Sequence, residues 1–592
     1  MIDEGYRVSD DTPDKEVDYL KYLRPIKFQI LFLCLAGILV YFNSLSVPFY
    51  LDDHHSIVEN PAIKSFSNLV EHRNFQIMRY TGYFSLAVNY NLHEYSVFGY
   101  HLFNLLVHIL TGLSIFLLLR TLLTSPKIDV SNNIKTYLPF LTALLFILHP
   151  LHTQAITYVI QRHAALAALF YIATLYFYTA GRNSKNILFF GAAIVTTILA
   201  LLSKENTVTL PAAILMLEIL FFQNLDKKRI LIWSASGLLS ALVLTFILFQ
   251  FFGVSFEMID QYTHTQDTRH ISRIEYFSTQ MLVLWHYIKL YFVPLGLHLD
   301  YDITLQKSFF SANVLLAFVA HIAVIAGTII LARKYPLIIF AVLIYYLTHS
   351  VESGLIPLRD FAFEHRAYLP DLGLSILLAW GLLSLLDLKL PEVAVIAAIA
   401  IILVGFASLT IIRNGQWADP IDFYQHETKM SPKKERVWAE LGKVYMQQKD
   451  FDKALKSFAV ALNLGRDGDT IQALPTTFLN TYLALLYSNQ LKKAIYFESI
   501  MPVNLMSPHD RSVYFYMRGN RLAKIKQGQK ALESFQQSLQ NNPDNLNAKA
   551  NLAALLIEKG EVQRGKLMIS QVLQQKPQHK LANIYLDKYK DK

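Results

Sequence analysis

Long apolar runs alternate with short polar segments from Phe28 to Arg413; beyond that point the chain turns into amphipathic, charged, helix-forming sequence. Phe28–Val47, Ile187–Leu202 and Val393–Ile412 are nearly free of charge over about the 20 residues a helix needs to cross a bilayer. The pattern predicts an all-α chain with about eleven membrane-spanning helices, near 28–47, 99–122, 137–149, 163–180, 187–203, 207–223, 230–253, 313–332, 337–350, 368–387 and 391–412. A further apolar stretch, 279–297, carries Trp285, His286, Tyr287, Lys289 and Tyr291, a mixture that reads as an interfacial or re-entrant helix. The segment 1–27 is polar, and the first apolar block lacks a small-residue cleavage site, so it reads as a retained span. The membrane domain is placed at 28–413, with a linker at 414–433.

From Lys434 the apolar positions follow the tetratricopeptide pattern, a helix–turn–helix unit of roughly 34 residues. Trp438, Leu441, Gly442, Tyr445, Ala454, Phe458 and Ala461 fill its packing positions, and Gly519, Ala531, Phe535 and Pro543 repeat the frame. Leu552, Leu556 and Pro577 continue it, while Leu485, Ala494 and Pro508 mark a degenerate unit between. Residues 434–592 are therefore read as an α-solenoid of about four repeats, closed by a polar helix over 580–592. Such stacks recognise other chains on their concave face, which suggests a protein partner or acceptor; the alternative is a rigid spacer or a dimerisation surface.

Composition agrees with a membrane protein. Of 592 residues 53% are hydrophobic and 17% charged, and the mean hydropathy is +0.31. The net charge of +9 does not indicate nucleic acid, because the basic residues are dispersed over short loops. With the N-terminus in the cytoplasm, Lys15, Lys21, Arg24, Lys127, Lys135, Arg182, Lys185, Lys227–Arg229 and Arg333–Lys334 all fall in cytoplasmic segments. By the positive-inside rule the repeat domain then lies outside the cytoplasm. The single cysteine, Cys34, excludes a disulfide framework. The chain has no Asn-x-Ser/Thr sequon on its external face, which favours a bacterial inner membrane with periplasmic repeats.

That threading gathers the chemical-looking groups on one face: Asp52-Asp53, Arg79, His149 and His152, Arg162, Lys204-Glu205 and Glu364-His365-Arg366. Any one of them can be a helix cap or a snorkelling cation. Four cations and two carboxylates at one boundary suggest instead a site for an anionic lipid headgroup, since arginine and lysine are the phosphate-binding side chains. His149 and His152 flank a proline that disturbs helical register, so they rank as phosphate hydrogen-bond donors or structural groups above metal ligands. The polar loop 254–278 reads equally as a lid and as a solvated connector.

An Asp-Asp pair opening the first external loop, His149-Pro150-Leu151-His152-Thr153-Gln154-Ala155, Ser203-Lys204-Glu205, Glu364-His365-Arg366-Ala367-Tyr368-Leu369-Pro370 and then tetratricopeptide repeats occur here in that order. This succession resembles the TMTC family, the transmembrane and tetratricopeptide-repeat O-mannosyltransferases with their bacterial relatives, within the GT-C glycosyltransferases. The resemblance implies a GT-C membrane domain that transfers one sugar from a polyprenyl-phosphate donor to a hydroxyl, that of protein Ser or Thr, with inversion. It implies that Asp52 or Asp53 is the base and that Arg162, Lys204 and Arg366 hold the donor phosphate, with His365, Arg79, His149 and His152 around it. Glu205 and Glu364 would support them. No metal or other cofactor is expected. Two rival readings are a transferase acting on an envelope glycan or polymer, and a non-catalytic repeat scaffold.

Overall fold

A computed structural model describes residues 25–71, 77–223, 271–331, 334–354, 356–388, 390–467, 470–471 and 474–590. The expected span at 230–253, most of the 254–278 loop and most of the N-terminal segment lie outside them. The regular secondary structure of the described residues is helical apart from a two-residue antiparallel ladder, Arg466–Asp467 with Thr470–Ile471. It divides into two compact units, Met1–Asp419 and Pro420–Lys592.

In the first unit, six described helices are long and apolar enough to cross a bilayer: Ile26–Ser44, Val97–Leu122, Val159–Ser184, Glu205–Phe222, Ala312–Ile330 and Glu392–Gln416. A seventh is Asn132–Leu148 continued into Pro150–Thr157 if that bent pair counts as one span. Ile187–Leu201, Pro336–His349 and Asp371–Asp387 are helical where spans were expected, but shorter. This is a membrane protein by its helices. Burial sorts them. Val97–Leu122 buries 61% of its apolar window, whereas Ala312–Ile330 and Glu392–Gln416 bury 17%. The outward faces of the last two present Leu316, Val319, Ile401 and Val404, a surface stable only against lipid. The interior packs Leu118, Leu119, Leu145, Phe146, Tyr171 and Phe340.

Two departures from regular helix position the polar groups. Proline at 150 cannot donate within a helix and forces His149 into extended backbone, bending the helix pair by 53°. Of the stretch 279–297, residues 293–297 are irregular backbone and 279–292 belong to one continuous helix, Arg273–Phe292, opened by a Ser272/Glu275 capping box. It turns Tyr276, Tyr287 and Tyr291 into the interior.

The second unit begins with Pro420–Met430, a helix lying inside the expected linker 414–433. Four helix–turn–helix units follow, and each turn holds one residue at positive φ: Lys449, Asn489, Lys526 and Gly560. The 34-residue period is strict only between the last two; the ladder at 466–471 lengthens the first interval to 40. Gly442 and Gly519 stand against the rings of Phe458 and Phe535, sixteen residues on in both repeats. A Cβ at Gly519 would approach the Phe535 ring to 2.6 Å, so the small residue is what lets the two helices touch.

Candidate active site

The paired aspartates have different surroundings. Asp53 is 1% exposed. Its Oδ2 accepts from the Tyr50 amide at 3.0 Å and its Oδ1 from the Ile160 amide at 2.7 Å. Burial pushes its carboxyl up to about 8, against the pull of those two amides. Asp52 is exposed, and among the described residues no hydrogen bond engages its carboxylate; its own amide donates to the Tyr158 hydroxyl at 2.9 Å. Both aspartates thus hang on the turn Tyr158–Gln161. Tyr50 anchors the other side by donating from its hydroxyl to the Trp417 carbonyl at 2.6 Å.

The same turn runs into the helix that starts at Arg162. That guanidinium is fully buried and donates to Asn104 Oδ1, Ser85 Oγ, Asn89 Oδ1 and the Tyr100 carbonyl at 2.7–3.2 Å. Phe103 covers its face at 4.6 Å. A phosphate has no access to it; in this arrangement Arg162 holds the helix start and faces Asp53 electrostatically. The next residue, His163, lies against Gly82, where any Cβ would overlap the imidazole.

Three cations and two carboxylates form a cluster beyond this turn. Lys204 Nζ is 2.8 Å from Glu352 Oε1, and Arg366 Nε is 3.9 Å from the same oxygen. Lys204 is placed by the extended residue between the helix ending at Leu201 and the 3₁₀ turn Glu205–Thr209. Arg366 sits on the 3₁₀ turn Glu364–Arg366, donating from Nη1 to the Asp360 carbonyl at 2.8 Å. Glu352 is fixed from behind, where the Tyr276 hydroxyl donates to its carbonyl. Burial alone would raise the Glu352 carboxyl, but Lys204 and Arg366 outweigh it and hold the group below its ordinary value. Arg79 completes the rim, pairing with Glu205 at 3.0 Å while remaining half-exposed.

His365 enters this cluster with a fixed tautomer. Gln154 Oε1 accepts from the His365 amide at 2.8 Å, so the same oxygen at 3.1 Å must take a proton from Nδ1. Burial first, then Lys204, Arg366 and Arg79, keep the ring neutral well below its ordinary value. Nε2 therefore carries a lone pair and serves as an acceptor, not as the phosphate donor expected from the motif. Glu364 faces elsewhere, accepting from the Tyr301 hydroxyl at 2.9 Å with Arg413 at 3.7 Å, and burial pushes it up to about 7. His149 and His152 are saturated. His149 Nδ1 accepts from the Leu151 amide and Nε2 meets the Tyr291 carbonyl; His152 meets the Phe146 carbonyl and Asp371 Oδ2. Neither has an N–H left for phosphate, and their role is to pin the bend at Pro150.

Glu352 was missed in the sequence, although a glutamate just beyond the apolar stretch 337–350 stands at the same boundary as the motifs. Gln154 was visible only as the variable position of the His-Pro-x-His-Thr-x-Ala pattern.

The geometry defines a membrane-embedded helical unit with a polyvalent cation cluster, joined to a repeat unit. Comparison with known proteins narrows this. The family model for the tetratricopeptide repeat matches residues 524–584. The chain is 23% identical to protein O-mannosyl-transferase TMTC3 of Mus musculus over 92% of its own length and 67% of the relative's. Against protein O-mannosyl-transferase F38B6.6 of Caenorhabditis elegans it is 25% identical, over 70% of this chain and 59% of that one. A solved chain, described as YrrB, a TPR protein with an unusual peptide-binding site, covers 30% of this chain and 87% of its own at 21% identity and a TM-score of 0.23. The chain is TMTC-like: over most of its length it is similar to proteins named protein O-mannosyl-transferases.

Proposed function

We propose that this chain transfers one sugar, mannose by the names of its relatives, from a polyprenyl-phosphate carrier to a hydroxyl of a protein acceptor. The observation that carries the reading is the cluster Arg79, Lys204, Arg366, Glu205 and Glu352, together with an exposed Asp52 carboxylate held on the turn that leads into His163, which interacts electrostatically with Arg79 and Lys204. Its three cations and two carboxylates leave one net positive charge. A phosphodiester donor carries one negative charge, which matches it in magnitude and opposes it in sign. Lys204 has three donors and its ion pair occupies at most one, leaving others for phosphate oxygens.

In the transfer, the acceptor O–H gives its proton to Asp52 as its oxygen forms the new bond to the anomeric carbon. The bond from that carbon to the phosphate oxygen breaks, and polyprenyl phosphate leaves with one further negative charge. Lys204 and Arg366 stabilise that charge as it develops. A leaving group that is already an anion needs no acid, so one base suffices. Attack from the side opposite the phosphate inverts the anomeric centre. No step calls on a metal ion. The site is proposed to face the periplasm of a bacterial inner membrane, with the repeats on the same side presenting the acceptor. A groove of about 440 Å³ in the repeat unit, lined among others by Tyr516, Asn542, Asn547 and Lys576, offers hydrogen-bonding groups suited to a peptide backbone.

The test is transfer from undecaprenyl phosphoryl-mannose to a Ser/Thr peptide by the purified full-length protein. Arg366→Ala is expected to weaken binding of that lipid about 10- to 100-fold, the loss of a charge-assisted partner. Wild-type protein that retains neither the lipid nor any transfer would falsify the reading.

A further inference from the structure

Several buried polar atoms beside the cation cluster find no hydrogen-bond partner among the described residues: both ring nitrogens of His163 and of His349, Oδ1 of Asn206 and Oε2 of Glu352. All four residues are at most 9% exposed. Native proteins leave few such atoms unpaired, because each costs the free energy of desolvation without return. They come from different elements and meet around Lys204. His163 opens the Arg162–Ser184 helix and interacts electrostatically with Arg79 and Lys204. His349 ends the Pro336–His349 helix and interacts with Arg366 and Lys204. Asn206 lies two residues after Lys204, in the 3₁₀ turn Glu205–Thr209 that Lys204 precedes. Glu352 is the ion-pair partner of Lys204 itself.

The set has a chemical character of its own. A neutral imidazole presents one donor and one acceptor, while the Asn206 and Glu352 oxygens only accept, as does His365 Nε2. A phosphate presents acceptors alone, so it satisfies Lys204 and Arg366 but none of these oxygens. Vicinal hydroxyls donate and accept at once and satisfy both kinds. Packing holds the rings in place: His349 stacks on Tyr287 at 5.2 Å and 12°, and His163 is seated on Gly82.

We propose that His163, Asn206, His349 and Glu352 form a subsite for the hydroxyls of the donor's sugar ring, next to the cations that take its phosphate. The inference rests on the proposed reaction and deepens it. The cluster is bipartite, and these four residues make the protein prefer a glycosylated carrier to the bare carrier it releases.

Binding of two lipids to detergent-solubilised full-length protein tests this: undecaprenyl phosphoryl-mannose and undecaprenyl phosphate. The wild type is expected to prefer the mannosylated lipid. His349→Phe keeps the stack on Tyr287 but removes both nitrogens; it is expected to cut that preference about tenfold while leaving the bare lipid within about twofold. His349→Gln, which restores a donor and an acceptor, is expected to recover part of it. Asn206→Ala, on another element, is expected to act in the same direction and decides the matter if the His349 variants melt early. Equal losses for both lipids, or none, in His349→Phe and Asn206→Ala overturn the subsite and leave the phosphate site standing. A wild type that binds neither lipid overturns the donor reading itself.

Discussion

Substitution to asparagine separates the two adjacent aspartates. Asp52→Asn removes an unengaged carboxylate and is expected to lower turnover at least about 100-fold, the usual worth of a positioned base, with an unchanged melting temperature. Asp53→Asn removes one of two oxygens that hold backbone amides and sets an NH2 group against an N–H donor. It is expected to cost about 1–3 kcal/mol of stability, read as a lower melting temperature. Turnover at saturating donor and acceptor falls less than in Asp52→Asn. The pH dependence adds a signature. The Asp53 carboxyl rises from 3.8 to about 8 in the fold, so the native state holds its proton more tightly than the unfolded chain. Its contribution is complete below pH 3.8 and declines as pH rises towards about 8. The melting-temperature gap between wild type and Asp53→Asn is thus expected to narrow from pH 5 to pH 8, and a widening gap would show the sign to be wrong. The sequence displayed the Asp pair but not which member is committed, because that depends on the Ile160 amide more than a hundred residues away. Glu352 was hidden for the same reason: Lys204 and Arg366 reach it from distant segments.

Elements with a repeating signal were the most legible. The Gly442/Phe458 and Gly519/Phe535 contacts follow from a spacing visible in the chain, since a ring can approach a helix backbone only where the side chain is a hydrogen. Gly519→Ala is accordingly expected to destabilise the repeat unit by about 1–3 kcal/mol through overpacking. Combining it with Phe535→Leu should cost less than the sum of the two single changes, because the smaller side chain makes room for the new methyl. Additive costs in urea melts would mean that the two residues do not share this contact. The bend at Pro150 was legible as broken register. What it accomplishes was not, since His149 and His152 find their partners on Tyr291 and Asp371. Short helices such as Pro336–His349 were legible as apolar, but apolar length alone cannot tell a short span from a buried helix. The 279–297 stretch drew an interfacial reading from its tyrosines and tryptophan. In the fold those tyrosines point inward, donating to Phe363 and Ser375 from Tyr287 and Tyr291.

At the scale of the whole chain, the polar motifs and the repeat unit are expected to share the external side, from the distribution of lysine and arginine alone. Protease added to sealed, right-side-out vesicles should therefore cleave within 420–592; cleavage only after lysis would move both to the cytoplasm. The membrane character and the solenoid were legible because each is written in local periodicity. The chain divides at Asp419/Pro420, and the helix Pro420–Met430 of the second unit lies where the change of texture in the sequence suggested a linker. Only Trp417–Asp419 connect the last apolar helix to that unit, so a repeat surface that binds an acceptor holds it at an effective concentration in about the millimolar range. Removing residues 420–592 takes away this tether without touching any residue of the cation cluster or the aspartate pair. The truncated protein is therefore expected to bind undecaprenyl phosphoryl-mannose as the full chain does. It should lose transfer to its native acceptor at micromolar concentration and regain transfer to a short Ser/Thr peptide supplied at millimolar concentration. Recovery by concentration distinguishes tethering from catalysis: a repeat unit that took part in chemistry would leave the truncated protein inactive at any peptide concentration. Native-acceptor transfer at the full-length rate after truncation would instead make the repeats an assembly surface with no share in acceptor choice.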